Sequence, residues 1–313
     1  MLGYILKRLL WTVPVILGVT IIVFFAIHLS PGDPAEIMLG PMATEANIES
    51  LREELGLDQP VFVQYFYWLG QILSGDFGRS ISHREDVLTL IVYRFRATLY
   101  LGAGALIIAI PLGLLLGIIG AIKHNTWVDK LSMFFPMVGI SMPIFWLGLL
   151  FILLFSQQLR LFPSSGMYTE GGFMDILHHL FLPALTLGLV PASVIARIMR
   201  SSMLEVIYQD YIRTARAKGI HPYRVILNHA VKNSMIPVVT IVGLQIGYVI
   251  GGAVVVETVF SWPGVGHLLM QAVLTRDFPL VVGGSIFLAT VFIFTNLIVD
   301  ILYSYIDPRI ILD

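Results

Sequence analysis

The chain has no cysteine among its 313 residues, so it forms no disulfide and offers no thiolate to a metal, although that absence names no compartment. Charge is also scarce. Only 12% of residues are Asp, Glu, Lys or Arg, and the net charge of -1 gives no reason to expect a nucleic-acid partner. Several catalytic strings are missing as well. No Gly-x-x-x-x-Gly-Lys-Ser/Thr occurs, so the chain lacks the loop of backbone amides that cradles a nucleoside triphosphate, and neither His-Glu-x-x-His nor Gly-x-Ser-Gly is present. The eight histidines are scattered. His178 and His179 are adjacent and so project in different directions. No catalytic residue, metal ligand or bound cofactor is assigned on this basis.

What is abundant is apolar. Hydrophobic residues make up 57% of the chain, the composition of an integral membrane protein built from helices. A hydrocarbon core of roughly 30 Å takes about 20 apolar residues per helical crossing. Six segments meet or approach that length, near residues 9–29, 98–122, 131–156, 181–199, 236–256 and 280–303. The fourth is interrupted by Pro183, Pro191 and Arg197, though neighbouring helices can satisfy backbone groups that proline frees. Orientation follows from the cations. With the N-terminus inside, the outer side holds Arg160 and Arg276 in short loops and Arg52, Arg79, Arg84, Arg94 and Arg96 in one long segment. The other 12 of the 19 Lys and Arg residues fall inside. Both termini are therefore expected in the cytoplasm.

The N-terminal Lys7 and Arg8 followed by an apolar run also fit a signal peptide. That run, however, is about 21 residues against the 7–15 of a signal core, and it leaves through Ser30-Pro-Gly-Asp-Pro34 without an Ala-x-Ala-like site. An anchored first helix is the expectation. The chain then reads as a first helix over 1–29, an extracytoplasmic cap over 30–97, a core of five crossings over 98–303 with a polar loop at 200–235, and a tail over 304–313. Within the cap, Thr44 is placed to start a helix that stops at Gly56, and Pro60 to start another over 61–73. The second carries Phe62, Tyr65, Phe66, Tyr67 and Trp68. It suits a helix lying at the membrane-water interface or a lid over a solute path.

One polar, cationic stretch between apolar spans stands out, Asp210-Tyr-Ile-Arg-Thr-Ala-Arg-Ala-Lys-Gly219 followed by Ile220-His-Pro222. Asp210 can N-cap a short helix, Gly219 can end it in the left-handed conformation and Pro222 can open the next. Ala215 and Ala217 keep the helix slim, and Arg213 and Arg216 can meet acidic groups on a partner. The same cations would satisfy the positive-inside rule alone, but that leaves the Asp, Gly and Pro punctuation unexplained. The wording resembles the EAA loop of ABC-importer permeases, in the variant of the dipeptide, oligopeptide and nickel branch. Further words of that branch follow in order: Pro31-Gly-Asp-Pro34, Leu55-Gly-Leu-Asp-Gln-Pro60, Gly75-Asp-Phe-Gly78, Ser141-Met-Pro143, Ala196-Arg-Ile-Met-Arg-Ser-Ser-Met203, Glu257-Thr-Val-Phe-Ser-Trp-Pro-Gly-Val-Gly266, Arg276-Asp-Phe-Pro279 and Asp307-Pro-Arg309.

The resemblance implies an all-α, six-span permease of the type I ABC-importer fold in the cytoplasmic (inner) membrane of a bacterium or archaeon. It implies four kinds of partner: the lipid bilayer, a second homologous permease, two ATP-binding cassette ATPases that use ATP and Mg, and an extracytoplasmic binding protein. It also implies that Arg213, Thr214, Ala215, Arg216, Gly219 and Pro222 couple the chain to an ATPase. The loop lacks the glutamate of the general EAA pattern, so no role of that carboxylate carries over. The cargo implied is a short peptide, with nickel or glutathione as alternatives within the branch.

Three smaller features complete the reading. Gly243, Gly247 and Gly251 recur every fourth residue in the fifth span, and Gly113 and Gly117 do so in the second. Such faces let helices approach closely, either within this chain or against a second permease. Gln245 lies in the same fifth span and is a candidate contact for a solute or for another helix. Glu257 and Asp300 fall near span ends, where snorkelling or water relieves a charge. From a different class, a secondary transporter would show internal repeats and mid-membrane ionisable groups, neither of which is clear. A channel stays open on hydropathy alone, and dependence on a partner ATPase separates the classes.

Overall fold

The computed structural model describes residues 2–28, 43–54 and 58–306, and every described element is helical. In chain order these are α1 (Leu2–His28), α2 (Glu45–Glu54), α3 (Val61–Leu73), α4 (Val87–Ile122), α5 (Trp127–Ser141), α6 (Ile144–Phe151), α7 (Phe173–Ile207), α8 (Asp210–Ala217), α9 (Pro222–Arg224), α10 (Lys232–Val259), α11 (Val265–Thr275) and α12 (Phe278–Ile306). Pro31–Pro34, the stop expected at Gly56 and Asp307–Arg309 lie outside the described residues. Four helical segments are long and apolar enough to cross a membrane, namely α4, α7, α12 and the run from Pro222 to Val259, and a broken pair makes a fifth. In α1 the stretch Leu10–Phe25 is apolar.

The broken pair corrects the expected third crossing. Instead of one straight helix, α5 ends at Ser141 and α6 starts after Pro143, with a bend of 112° between them. The residue before a proline avoids the helical region, and Met142 is accordingly extended, with φ -98° and ψ 139°. A π-helical stretch, Ile152–Gln158, continues α6. The fourth crossing departs in the other direction. Pro183 and Pro191 do not break it, and α7 runs for 35 residues. Of its most apolar stretch, 67% is buried inside the molecule, against 22% to 33% in the other three crossings. Both prolines are buried there, held by packing on neighbouring helices.

The chain divides into two compact units, Met1–Arg96 with Gly264–Leu297, and Ala97–Pro263 with Ile298–Asp313. In the first unit, the Thr44 hydroxyl accepts from Asn47 N at the start of α2, as the sequence leads one to expect. Aromatic α3 packs on α1. The hydroxyls of Tyr65 and Thr20 are 2.9 Å apart, and the Phe24 ring lies 5.4 Å from both Tyr65 and Trp68, while Phe62, Phe66 and Tyr67 stay exposed. Helix α11 was not anticipated from sequence. Its Val265, Leu268 and Ala272 pack with Val87, Ile91 and Leu280.

The turn between α11 and α12 is fastened by Asp277, which is fully buried. Its carboxylate accepts from the hydroxyls of Ser80 and Ser82, each at 2.6 Å, and from Ser82 N at 2.9 Å. Burial pushes this carboxyl up, but the hydrogen bonds from Ser80, Ser82 and Ile81 outweigh it and hold the group below the ordinary aspartate value.

In the second unit α7 is the central helix, and glycine sets how close its neighbours come. A Cβ on Gly113 of α4 would lie 2.7 Å from the Ala192 carbonyl oxygen, and one on Gly117 would lie 2.6 Å from that of Ala196. Reciprocally, a Cβ on Gly188 of α7 would lie 2.7 Å from the Ala105 carbonyl oxygen. These contacts are backbone on backbone, which in lipid is a main source of helix association. Trp262, fully buried beyond α10, donates its indole N–H to the Ala97 carbonyl at 2.7 Å. Glu257 is also fully buried, which corrects the expectation of a wet span end. The side chain of Asp300 is not among those described.

Two outcomes follow. Gly117→Val should cost about 3 kcal/mol or more through overpacking, whereas Gly251→Ala, whose Cβ meets nothing within 4 Å, should be neutral. Thermal unfolding in detergent reads the difference. Because the folded pKa of Asp277 is lowered, its stabilisation is complete above the unfolded value near 3.8 and is lost as pH falls from there through the folded value. Asp277→Asn should abolish that part of the acid dependence, as measured by unfolding from about pH 5 downward through and below the ordinary aspartate value.

Candidate functional site

Helix α8 is a single amphipathic stub. Ile212 and Ala215, three apart, are buried and join Met199, Met203, Val225 and Ala230 in one apolar cluster. The opposite face leaves Arg213, Thr214 and Arg216 exposed. One expectation about its start is corrected. The N-cap position belongs to Gln209, with no side-chain bond, and Asp210 is the first helical residue. Its carboxylate instead lies 3.7 Å from Arg213, and both side chains are so exposed, 97% and 78%, that the pair contributes little.

The far end is closed tightly. Gly219 N donates to Arg216 O at 3.0 Å and Ile220 N donates to Ala215 O at 3.3 Å, the paired bonds of a Schellman motif. That closure needs a left-handed residue, and Gly219 has φ +75°. Ile220 then packs on the cluster that holds Ala215. Pro222 occupies the first turn of α9, as expected, and the ring Nδ1 of His221 accepts from Tyr223 N at 3.4 Å. A π-helical turn, Val225–Val231, leads into α10. The corner is tied to that helix by Asn233 Nδ2, which donates to the Tyr211 hydroxyl at 3.1 Å. So Arg213, Thr214, Ala215, Arg216, Gly219 and Pro222 are brought together in one rigid corner whose cations point outward.

The glycine face on α10 is divided. Gly243 and Gly247 are buried within this chain, whereas Gly251 is exposed and open. Gln245 is half-buried on the same helix and stands apart from the corner. A polar cluster between α5 and α7 was missed by sequence reasoning. Arg200 donates from Nε and Nη2 to the two carboxylate oxygens of Asp129, both at 2.7 Å, and Nη2 lies 3.1 Å from His124 Nδ1. Asp129 also accepts from Asn125 N at 3.0 Å. The partners are 71 residues apart, and only the Arg200 charge at the edge of a span hinted at them. Among the described residues no group of three or more His, Asp or Glu side chains is arranged to hold a metal.

Residues 109–312 match the family described as "Binding-protein-dependent transport system inner membrane component", and residues 1–102 match its N-terminal companion. The chain belongs to that permease family. Curated members agree over their whole length. The dipeptide transport system permease protein DppB of Alkalihalophilus pseudofirmus is 44% identical over 99% of both chains, and the glutathione transport system permease protein GsiC of Salmonella typhimurium is 45% identical over 99% of both. The fold is shared with the inward-facing MetNI methionine ABC transporter, with TM-score 0.55 and 16% identity over 70% of this chain and 97% of the other. A second solved structure, of an amino acid ABC transporter, gives TM-score 0.53 and 14% identity over 71% and 95%. This permease is therefore a multi-pass membrane subunit of an ABC importer.

Because Gly219 carries the turn through its backbone alone, with nothing within 4 Å of a Cβ placed there, substitutions should act by φ strain. Gly219→Asn should be milder than Gly219→Val, since Asn tolerates the left-handed region and a β-branched residue does not. Hydrogen exchange at the Gly219 and Ile220 amides should accelerate in the Val variant by about tenfold or more, the equivalent of 1–2 kcal/mol of strain.

Proposed function

We propose that this permease lines half of an import path for short peptides, which it receives from an extracytoplasmic binding protein and shares with a second homologous permease. Two ATPase subunits supply the work, using ATP and Mg. The chain lies in the inner membrane with both termini in the cytoplasm, so that the α8 corner meets an ATPase. The observation that carries this reading is the corner itself, in a chain matched end to end by ABC-importer permeases. Ile212 and Ala215 anchor α8 in the apolar cluster while Arg213 and Arg216 face out, and the Schellman closure at Gly219 makes the stub a stiff lever. Force applied at α8 reaches α7 and α10 through that cluster and through Ser202, whose hydroxyl donates to Ser234 O at 3.1 Å. The open Gly251 supports a contact with the second permease, whereas Gly243 and Gly247 serve packing within this chain.

A glutathione-type cargo is the second reading, because the GsiC relative matches as well as the DppB relative does. Gln245 remains a candidate solute contact on α10. Tagged protein extracted in mild detergent should bring two ATPases and a second permease with it, and Gly219→Leu should lose the ATPases while keeping the fold. Vesicles holding the assembly should then take up alanyl-leucine or glutathione only with ATP inside. If no ATPase co-purifies in any of several detergents, the importer reading fails and a channel or secondary carrier replaces it.

A further inference from the structure

The molecule carries a cavity between α5 and α7 that the coupling corner does not use. Its volume is about 450 Å³, and it is lined by Met133, Pro136, Met137, Ile140 and Ser141 from α5 and by Ser193, Arg197 and Arg200 from α7. On each helix the lining residues recur at three- and four-residue spacing, so two helical faces form opposite walls. A second cavity of about 410 Å³ shares Met133, Met137 and Arg200 and reaches Asp129.

The two arginines differ in one decisive way. Arg200 is neutralised by its two-pronged pairing with Asp129. Arg197, one turn earlier, is exposed, and among the described residues its side chain makes no hydrogen bond or ion pair. At the inner end of its crossing, an arginine with no protein partner is free to pair with an anionic group of a ligand. The helix opposite breaks at the cavity's edge, where Ser141 is the last residue of α5 before the extended Met142. Irregular backbone at membrane depth is tolerated where it lines a cavity or is buried in protein. A cavity, an unpaired cation and a broken helix therefore coincide.

We propose that this cavity is a solute subsite in which Arg197 binds a carboxylate while Met133, Met137 and Ile140 receive an apolar side chain. Methionine adapts its shape to many side chains, which suits cargo that shares a terminal carboxylate and varies elsewhere. Arg200 does not compete for the ligand, because Asp129 occupies its guanidinium, and the pair fixes that part of the wall. The assignment rests on the importer reading above and narrows it to a solute with a free carboxylate.

The test uses the assembled transporter in nanodiscs of zwitterionic phosphatidylcholine, illuminated with the diazirine dipeptide alanyl-photoleucine or with its C-terminal amide. The free acid should label peptides spanning residues 133–141 or 193–200, and the amide should label them about tenfold less, as expected when one partner of a charge pair is removed. Arg197→Gln should reduce acid labelling to the amide level, and Arg197→Lys should keep most of it. The acid-amide comparison on the unaltered protein stands even if a variant fails to fold. Labelling that ignores the carboxylate, or falls elsewhere, overturns the subsite while ATP-driven uptake of alanyl-leucine persists. Absence of that uptake overturns the peptide reading and the subsite together. If phosphatidylglycerol abolishes labelling and is retained in native mass spectra by the unaltered protein but not by Arg197→Gln, the cavity belongs to a lipid headgroup and the solute assignment is wrong.

Discussion

Hydrocarbon offers no hydrogen bonds, and the close approach of α4 to α7 is where this structure answers that constraint most directly. Once each crossing satisfies its own backbone as a helix, little apolar driving force remains to hold helices together, so contact quality decides the assembly. Gly113, Gly117 and Gly188 bring carbonyl oxygens of one helix to within van der Waals reach of the other's Cα. The buried α7 that results is the element on which α4, α5 and α10 are arranged, and it tolerates two prolines because its surroundings hold it. It also carries Arg197 and Arg200 at one end, so the same helix that organises the unit presents its cations.

Two devices turn that scaffold toward transport. The α8 corner is stiff because Ile212 and Ala215 pack its buried face and the Schellman bonds at Gly219 close its C-terminal end. The break at Pro143 works in the opposite sense, since it interrupts a crossing and opens room beside Ser141. A stiff corner and an interrupted helix, both seated against α7, are the two elements on which the proposed coupling to an ATPase rests. In the first unit Asp277 does comparable work for stability, gathering Ser80 and Ser82 onto a turn almost two hundred residues away in sequence.

Much of this was legible in the amino-acid sequence, and for identifiable reasons. Hydropathy at the length of a bilayer marked the crossings, because membrane solvent acts on each segment separately. The punctuation of the corner was readable because Gly219 and Pro222 act through local backbone geometry, and Thr44 and Pro60 marked helix starts on the same ground. What local reasoning got wrong was also local in appearance. Asp210 looked like a cap, but Gln209 takes that position. The fourth crossing, read as a span despite Pro183 and Pro191, is one continuous helix, and the break falls at Pro143 in the third instead.

The sequence by itself determined an all-helical membrane chain, its family and the residues of the α8 corner, since these depend on composition, spacing and short motifs. Only the tertiary structure decided which glycines touch, that Gly251 is open while Gly243 and Gly247 are buried, that Asp129 neutralises Arg200 while Arg197 has no partner among the described residues, and that a cavity lies between α5 and α7 beside both arginines. The physical reason is that these properties belong to pairs of residues far apart in the chain. Charge compensation and close packing are fixed by which helix faces meet, and no periodicity within one segment specifies its partner.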